Sequence, residues 1–242
     1  MKHVIFFLLV CFAIGANAQT YSKTYSEDFA ELVRTAHGGN TGASGLTVRD
    51  YTAVNSEDRF GPSKKGYYTV RNSSTRMRSF SIFGSPPYSD FDSVSNTAVD
   101  LDVVCHIGVV EDQSPGFNKK GAYGIELSAG SADKKTVSYV LVLDGKTYSV
   151  LCARKEIWVE FKDAEELVSK TKSDFVKKGE DNVLRIQKTG KEWKFFVNDN
   201  LVHTLMDDTH LFVNDQLLSN IITSVHGEVY VKKYSYTFRK AS

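Results

Sequence analysis

From Tyr67 onward the chain alternates apolar and polar residues with a period of two, in runs of roughly five to twelve separated by Gly, Asn, Asp and Lys. That period puts successive side chains on opposite faces of a strand, so each run has one face apolar enough to bury. The runs cover 67–71, 77–82, 98–109, 122–128, 136–143, 146–153, 157–161, 182–189, 192–198, 201–206, 219–225 and 229–239. Many short strands without long helices between them predict an all-β, two-sheet antiparallel sandwich rather than a βαβ sheet. One short helix is expected at Asp163–Lys170, "DAEELVSK", where Asp163 can cap the first turn and acidic residues meet the positive end of the dipole. The stretches 37–45, "HGGNTGASG", and 84–90, "GSPPYSD", have the composition of loops.

Two hairpins are marked by their turn residues. In "LVLDGKTYSV", Asp144-Gly145 predicts a two-residue type I′ turn with positive φ at both positions, making 136–143 and 146–153 antiparallel neighbours. The first of these strands is apolar on both faces, with Val140 and Val142 opposite Tyr139, Leu141 and Leu143. Its second face is therefore either covered or a surface for a partner. In "EWKFFVNDNLVHTL", Trp193, Phe195 and Val197 suit a core face and Phe196 the other, while Asn198-Asp199 occupies the turn.

Residues 1–18 read as a secretory leader, with Lys2 and His3 ahead of the apolar run Val4–Ile14 and the small-x-small triplet Ala16-Asn17-Ala18. The apolar run is well short of the roughly 18 residues a membrane span needs, so no transmembrane segment is expected. Val10 before Cys11 departs from a lipoprotein signal. The expectation is a chain secreted or periplasmic after cleavage near Ala18, with 19–242 as one domain. Losing the leader removes Lys2 and leaves Lys+Arg equal to Asp+Glu at 29 each, a balance that gives no case for nucleic acid as a partner. Cys105 and Cys152 both fall on apolar strand faces, and they either pair across the core or stay as two buried thiols.

Five stretches resemble the concanavalin A-like, laminin-G-like jelly-roll domain of secreted proteins, particularly of the Bacteroidetes type. They are "KKGYYTVRN" (64–72), "AVDLDVVCHIGVV" (98–110), "AYGIELSAG" (122–130), "SDFVKKGEDNVLRIQKTGKEWKFFVNDNLV" (173–202) and "GEVYVKKYSYTF" (227–238). They span most of the chain after the leader, and the fourth is the most specific. The resemblance implies two stacked antiparallel sheets, with glycan recognition as the commonest role and glycoside hydrolysis in some branches. The same fold carries lectins, hydrolases and adhesion modules, so the site must be argued residue by residue.

A retaining hydrolase needs two carboxylates about 5 to 5.5 Å apart across the scissile bond, and relatives with this fold present them on alternate strand positions as Glu-x-Asp-x-x-Glu. The nearest string here is "VDLDVVCH", with Asp100 and Asp102 on one face and His106 in phase with them. Neighbouring carboxylates on one face ordinarily mark the solvent side of a strand, but Asp100, Asp102 and Glu126 are kept as an atypical hydrolytic alternative. "GASG" around Ser44 lacks a nucleophile elbow, and the histidines show no zinc spacing. Calcium, used by some relatives, would need several loop oxygens, and "DDTH" (207–210) and "NDN" (198–200) are only fragments of such a loop. No cofactor is expected. Binding remains, and the residues whose phase turns them away from the core are Glu126, Trp158, Arg185 and Phe196. Aromatic faces stack on sugar rings and planar polar groups read hydroxyls. The expected partners are a carbohydrate or a cell-surface protein.

Overall fold

The computed structural model describes residues 21–29, 58–62, 67–73, 77–80, 99–109, 121–130, 135–156, 164–207, 218–224 and 226–240. These form strands β1 (Tyr21–Asp28), β2 (Asp58–Pro62), β3 (Tyr68–Asn72), β4 (Arg78–Phe80), β5 (Val99–Val109), β6 (Tyr123–Gly130) and β7 (Lys135–Asp144). They continue with β8 (Thr147–Glu156), β9 (Glu165–Lys172), β10 (Asn182–Thr189), β11 (Glu192–Val197), β12 (Asn200–Met206), β13 (Leu218–Thr223) and β14 (Glu228–Lys240). An eight-stranded sheet runs β12-β11-β10-β5-β14-β3-β2, with β1 also on β14, and a six-stranded sheet runs β4-β13-β6-β7-β8-β9. The long β14 makes this possible. It pairs with β5 along its length, while β3 takes residues 228–231 of its other edge and β1 takes 233–240.

The two sheets close on one core. Leu101, Val103, Cys105 and Ile107 on β5 and Leu184 and Ile186 on β10 face Ile125, Leu127, Leu141 and Val150 of the other sheet, all 2% exposed or less. Burying each such aliphatic side chain contributes about 1.5–3 kcal/mol. Tyr139 and Trp193 meet across the interface with ring centroids 4.5 Å apart. Two fully buried asparagines stitch the sheets. Asn72 on β3 donates from Nδ2 to the carbonyls of Thr223 (3.2 Å) and Ser224 (3.0 Å), at the end of β13. Asn182 on β10 donates to the Tyr123 hydroxyl on β6 at 3.0 Å.

The stretch predicted as a helix at 163–170 is instead strand β9 over its described residues. The reason is β8, whose outer edge would otherwise present unpaired N–H and C=O groups. β9 covers it in a bulged antiparallel register and packs Leu167 and Val168 against the core, which outweighs the modest helix preference of "EELVSK". The β7–β8 turn also differs from expectation. Asp144 pairs with Thr147 and ends the strand, so the loop is Gly145-Lys146, with positive φ (63°) only at Gly145. That is the glycine position of a type II′ turn. The Thr147 hydroxyl closes it onto the Asp144 carbonyl at 2.7 Å.

Cys105 and Cys152 are both buried, and each keeps its thiol rather than forming a disulfide. They stand in different sheets on non-facing positions: Cys105 lies near Tyr123 of β6, while Cys152 pairs with Tyr139 two strands further along. The expected strand 157–161, the loops 37–45 and 84–90, and the leader 1–18 lie outside the described residues.

Candidate binding face

The two sheets offer two outer faces, and they differ. On the six-stranded sheet Val140 and Ile222 are 0% exposed and Val142 7%, forming a second apolar cluster with Met77, Ala122 and Leu151 against it. The Val140/Val142 face is therefore covered within the chain and is no open partner surface. Glu126 belongs to this face, flanked by Val140 and Asn220, and is 6% exposed.

The outer face of the eight-stranded sheet carries polar and half-exposed side chains. Antiparallel register arranges them in rows. One row runs Leu201, Phe196, Arg185, Val104, Ser235, and the next runs Lys194, Gln187, Asp102, Thr237, Thr24. The register slips between Phe195 and Phe196, and this bulge sets Phe196 opposite Leu201, which is 54% exposed. Bulges of this kind re-aim a side chain at a sheet edge.

Arg185 is the centre of these rows. Its Nε donates to Asp102 Oδ1 at 2.7 Å and its Nη2 to Oδ2 at 2.6 Å, a planar fork on a planar carboxylate. On its other side the guanidinium carbon sits 5.4 Å from the centroid of Phe196. The Asp102 hydrogen bonds raise the Arg185 pKa, outweighing the partial burial that acts to lower it. Beside the pair, Asp100, Gln187, Lys188, Thr237 and Arg239 line a shallow polar recess with Asp102. Asp100 also accepts the Gly190 N–H at 2.8 Å, which fastens the β10–β11 turn.

Of the four predicted ligand residues, Arg185 and Phe196 are directly paired neighbours on this open face. Glu126 is on the other sheet, and Trp158 lies outside the described residues. Asp102, kept from the sequence as a hydrolytic candidate, is the counter-ion of Arg185. The carboxylates Asp100 and Asp102 stand on β5 of one sheet and Glu126 on β6 of the other, so those three do not meet across one bond. Among the described residues no three metal-ligating side chains cluster, and no helix is long and apolar enough to cross a membrane.

A second group on the same face was not expected from the sequence. Tyr67 and Tyr230 pack against each other in a tilted arrangement, with ring centroids 5.1 Å apart and planes at 41°. The Tyr230 hydroxyl and the Lys232 ammonium both donate to Asp181, and Lys232 Nζ lies 5.6 Å from the Tyr230 centroid. Partial burial works to raise the Asp181 carboxyl, but these two donors outweigh it and hold the group below its usual range. Tyr230 reaches Asp181 by lying across Gly108 of β5, where an added Cβ would come within 2.5 Å of the phenol oxygen. An isolated glycine inside an alternating strand signals such a close approach.

The stretch carrying the most specific sequence motif is structural. Asn182 accepts the Lys177 N–H (2.9 Å) and an Asn198 amide hydrogen (2.8 Å), and donates to the Lys177 carbonyl (2.8 Å). Asn198 accepts the Val183 N–H at 2.8 Å and donates to the Phe175 carbonyl at 2.7 Å. Loop 173–181 is thereby clasped to the β11–β12 hairpin.

The sequence matches no protein-family model and no curated protein. Solved structures do match. The CBM2 module of the evolved Dit of Lactobacillus casei phage J-1, from strain BL23, is 14% identical over 93% of this chain and 99% of its own, with a TM-score of 0.51. The fold is a jelly roll of the concanavalin A-like kind. More distant matches include a β-glucanase of Bacillus licheniformis, 8% identical over 88% of this chain and 97% of its own (TM-score 0.45). Another is the carbohydrate-binding module CBM66 of Bacillus subtilis, 13% identical over 78% and 91% (TM-score 0.38). At these identities the likeness speaks to the fold alone.

Proposed function

We propose that this chain is a secreted, non-catalytic jelly-roll module that binds glycan through the outer face of its eight-stranded sheet. The observation that carries the reading is the Asp102–Arg185–Phe196 row: an aromatic ring and a pre-oriented guanidinium side by side on the open outer face. A sugar offers an apolar C–H surface to the ring and hydroxyls to the guanidinium, and neither group has to reorganise to meet them. The name of the matched CBM66 module, which describes it as carbohydrate-binding, accords with this role. Export rests on the leader read in residues 1–18. The non-catalytic reading is supported by the engagement of Asp102 with Arg185 and of Asp100 with Gly190, and by the separation of Glu126 from both.

A glycan array and affinity electrophoresis against polysaccharides test the reading, with Phe196→Ala and Arg185→Ala as variants. Binding that falls about tenfold in each variant, a loss of about 1.4 kcal/mol, is the expected result. Binding to no glycan by a folded protein, or binding indifferent to both substitutions, overturns it. A cell-surface protein is the second reading, favoured by Leu201 (54% exposed) and Met206 (68% exposed) on edge strand β12.

A further inference from the structure

The outer face of the eight-stranded sheet has aromatic groups at two places, and they are far apart. Phe196 is level with Arg185 on β10, whereas Tyr230 is level with Gly108, one position beyond the Asn182–Ile107 pair. Asp181, which holds Tyr230, is four residues from Arg185 along the chain, and the Tyr230 ring lies over Gly108 of β5, two strands from β11 in the sheet. At about 3.3 Å per residue and 4.8 Å per strand, the diagonal from Phe196 to the Tyr230 ring is about 16 Å. A single sugar ring cannot touch both ends, whereas a chain of several can lie across the sheet between them.

The charge on the same face is paired off locally. Arg185 is matched by Asp102 (2.6 Å), Lys194 by Glu192 (2.7 Å), Lys233 by Asp28 (3.0 Å), Arg71 by Glu228 (2.7 Å), and Lys232 by Asp181. Arg239 stands directly opposite Asp100 in the β14–β5 register. Each of these six cations thus has a carboxylate beside it. A polyanion would have to break these pairs to be held, and a polycation likewise. Hydroxyl groups can instead hydrogen-bond to the fixed, already neutralised pairs without disturbing them.

We infer that the ligand of this face is an uncharged polysaccharide chain, long enough to bridge Phe196 and the Tyr67–Tyr230 pair. The inference rests on the glycan-binding reading above and adds the length and charge of the ligand. At the second anchor Tyr67 and Tyr230 supply the stacking surface, and Asp181 and Lys232 fix the Tyr230 ring. The ligand crosses between the anchors past His106 and Val104, which share the outward phase of β5.

The test uses the full chain in affinity gels containing mixed-linkage β-glucan, galactomannan or α-glucan as uncharged probes, and alginate or polygalacturonate as anionic ones, at low and high salt. Calorimetry then follows a size ladder cut from whichever polymer binds. Expected are retardation by an uncharged polymer that salt leaves unchanged and affinity that climbs with chain length. Tyr67→Ala and Tyr230→Ala should each weaken the polymer about tenfold. Tyr230→Phe keeps the ring and should cost less than Tyr230→Ala, and far-ultraviolet circular dichroism checks that each variant is folded. A mono- or disaccharide that binds as tightly as the polymer, or tyrosine variants that bind like the parent chain, overturns the bridging while leaving glycan binding intact. Selective, salt-suppressed binding of alginate or polygalacturonate overturns the assignment of charge. No retardation by any glycan, from a folded protein, overturns both this inference and the reading on which it rests.

Discussion

Arg185 grips both oxygens of Asp102 at 2.6 and 2.7 Å, from a strand position whose direct partner on β5 is Val104 rather than Asp102. The guanidinium thus reaches diagonally, away from Phe196's own row toward the polar recess, and is held between the two. The side chains of Arg185 and Asp102 are 33% and 17% exposed. Solvent screens a pair of this kind, so its coupling should be about 1 kcal/mol or less in a double-mutant cycle of Asp102→Asn and Arg185→Lys followed by urea unfolding. Glycan affinity should fall more than stability does, because the fork orients the groups a ligand meets. A coupling well above this range would mark the pair as a structural element first.

Asn182 is the polar residue on which most of the local backbone depends. It is 0% exposed and exchanges hydrogen bonds with Tyr123, Lys177 and Asn198. Asn182→Ala should destabilise the fold by about 2–4 kcal/mol, since it leaves several buried groups without their partner. Urea unfolding measures the loss. Hydrogen exchange should show it first in the Lys177 amide and the loop 173–181, and a loss spread evenly over both sheets would contradict the clasp.

The strand pattern was readable because alternation records burial directly, and 182–189 coincides with β10 at both ends. The helix expected at 163–170 shows what alternation cannot report. "EELVSK" is locally helix-compatible, and only the open edge of β8 makes it a strand. Glu126 shows a second limit. Its phase away from Ile125 and Leu127 is visible in the sequence, but phase does not say which outer face is covered, and Val140 and Ile222 show that this one is. Phase did suffice for Arg185 and Phe196, whose shared face needs only the β10–β11 register. The Tyr230–Asp181 contact links residues 49 positions apart, and its one local trace was Gly108.

The β11–β12 turn separates two residues of the same backbone conformation. Asn198 and Asp199 both have positive φ, 47° and 63°, as a type I′ turn requires. Asp199 is exposed and bears the steric cost of its Cβ there, so Asp199→Gly should stabilise the protein by about 0.5–1 kcal/mol. Asn198 has the same strain but holds Val183 and Phe175 through its side chain. Asn198→Gly should therefore destabilise, by about 2 kcal/mol, despite relieving φ. Thermal melts of the two variants should move in opposite directions, and a shift of the same sign in both would refute the division of roles.

Tyr123 makes the fold sensitive to alkali. Burial pushes its phenol up to about 12, with the Asn182 hydrogen bond opposing and the Asp181 and Cys105 charges adding to the rise. A raised folded value means that the neutral phenol is the form the native state favours. Its contribution is fully present below the ordinary tyrosine value near 10 and is lost as the pH climbs toward about 12. Burial also pushes Tyr234 up, so the two phenols act in the same direction on the alkaline side. Tyr123→Phe should cost about 1 kcal/mol at neutral pH, because Asn182 loses an acceptor. Between pH ~9 and ~11 it should then lose less stability than the parent chain, by up to about 1 kcal/mol. Urea midpoints of both proteins across that range measure the difference, and parallel curves would show that the Tyr123 proton does not contribute.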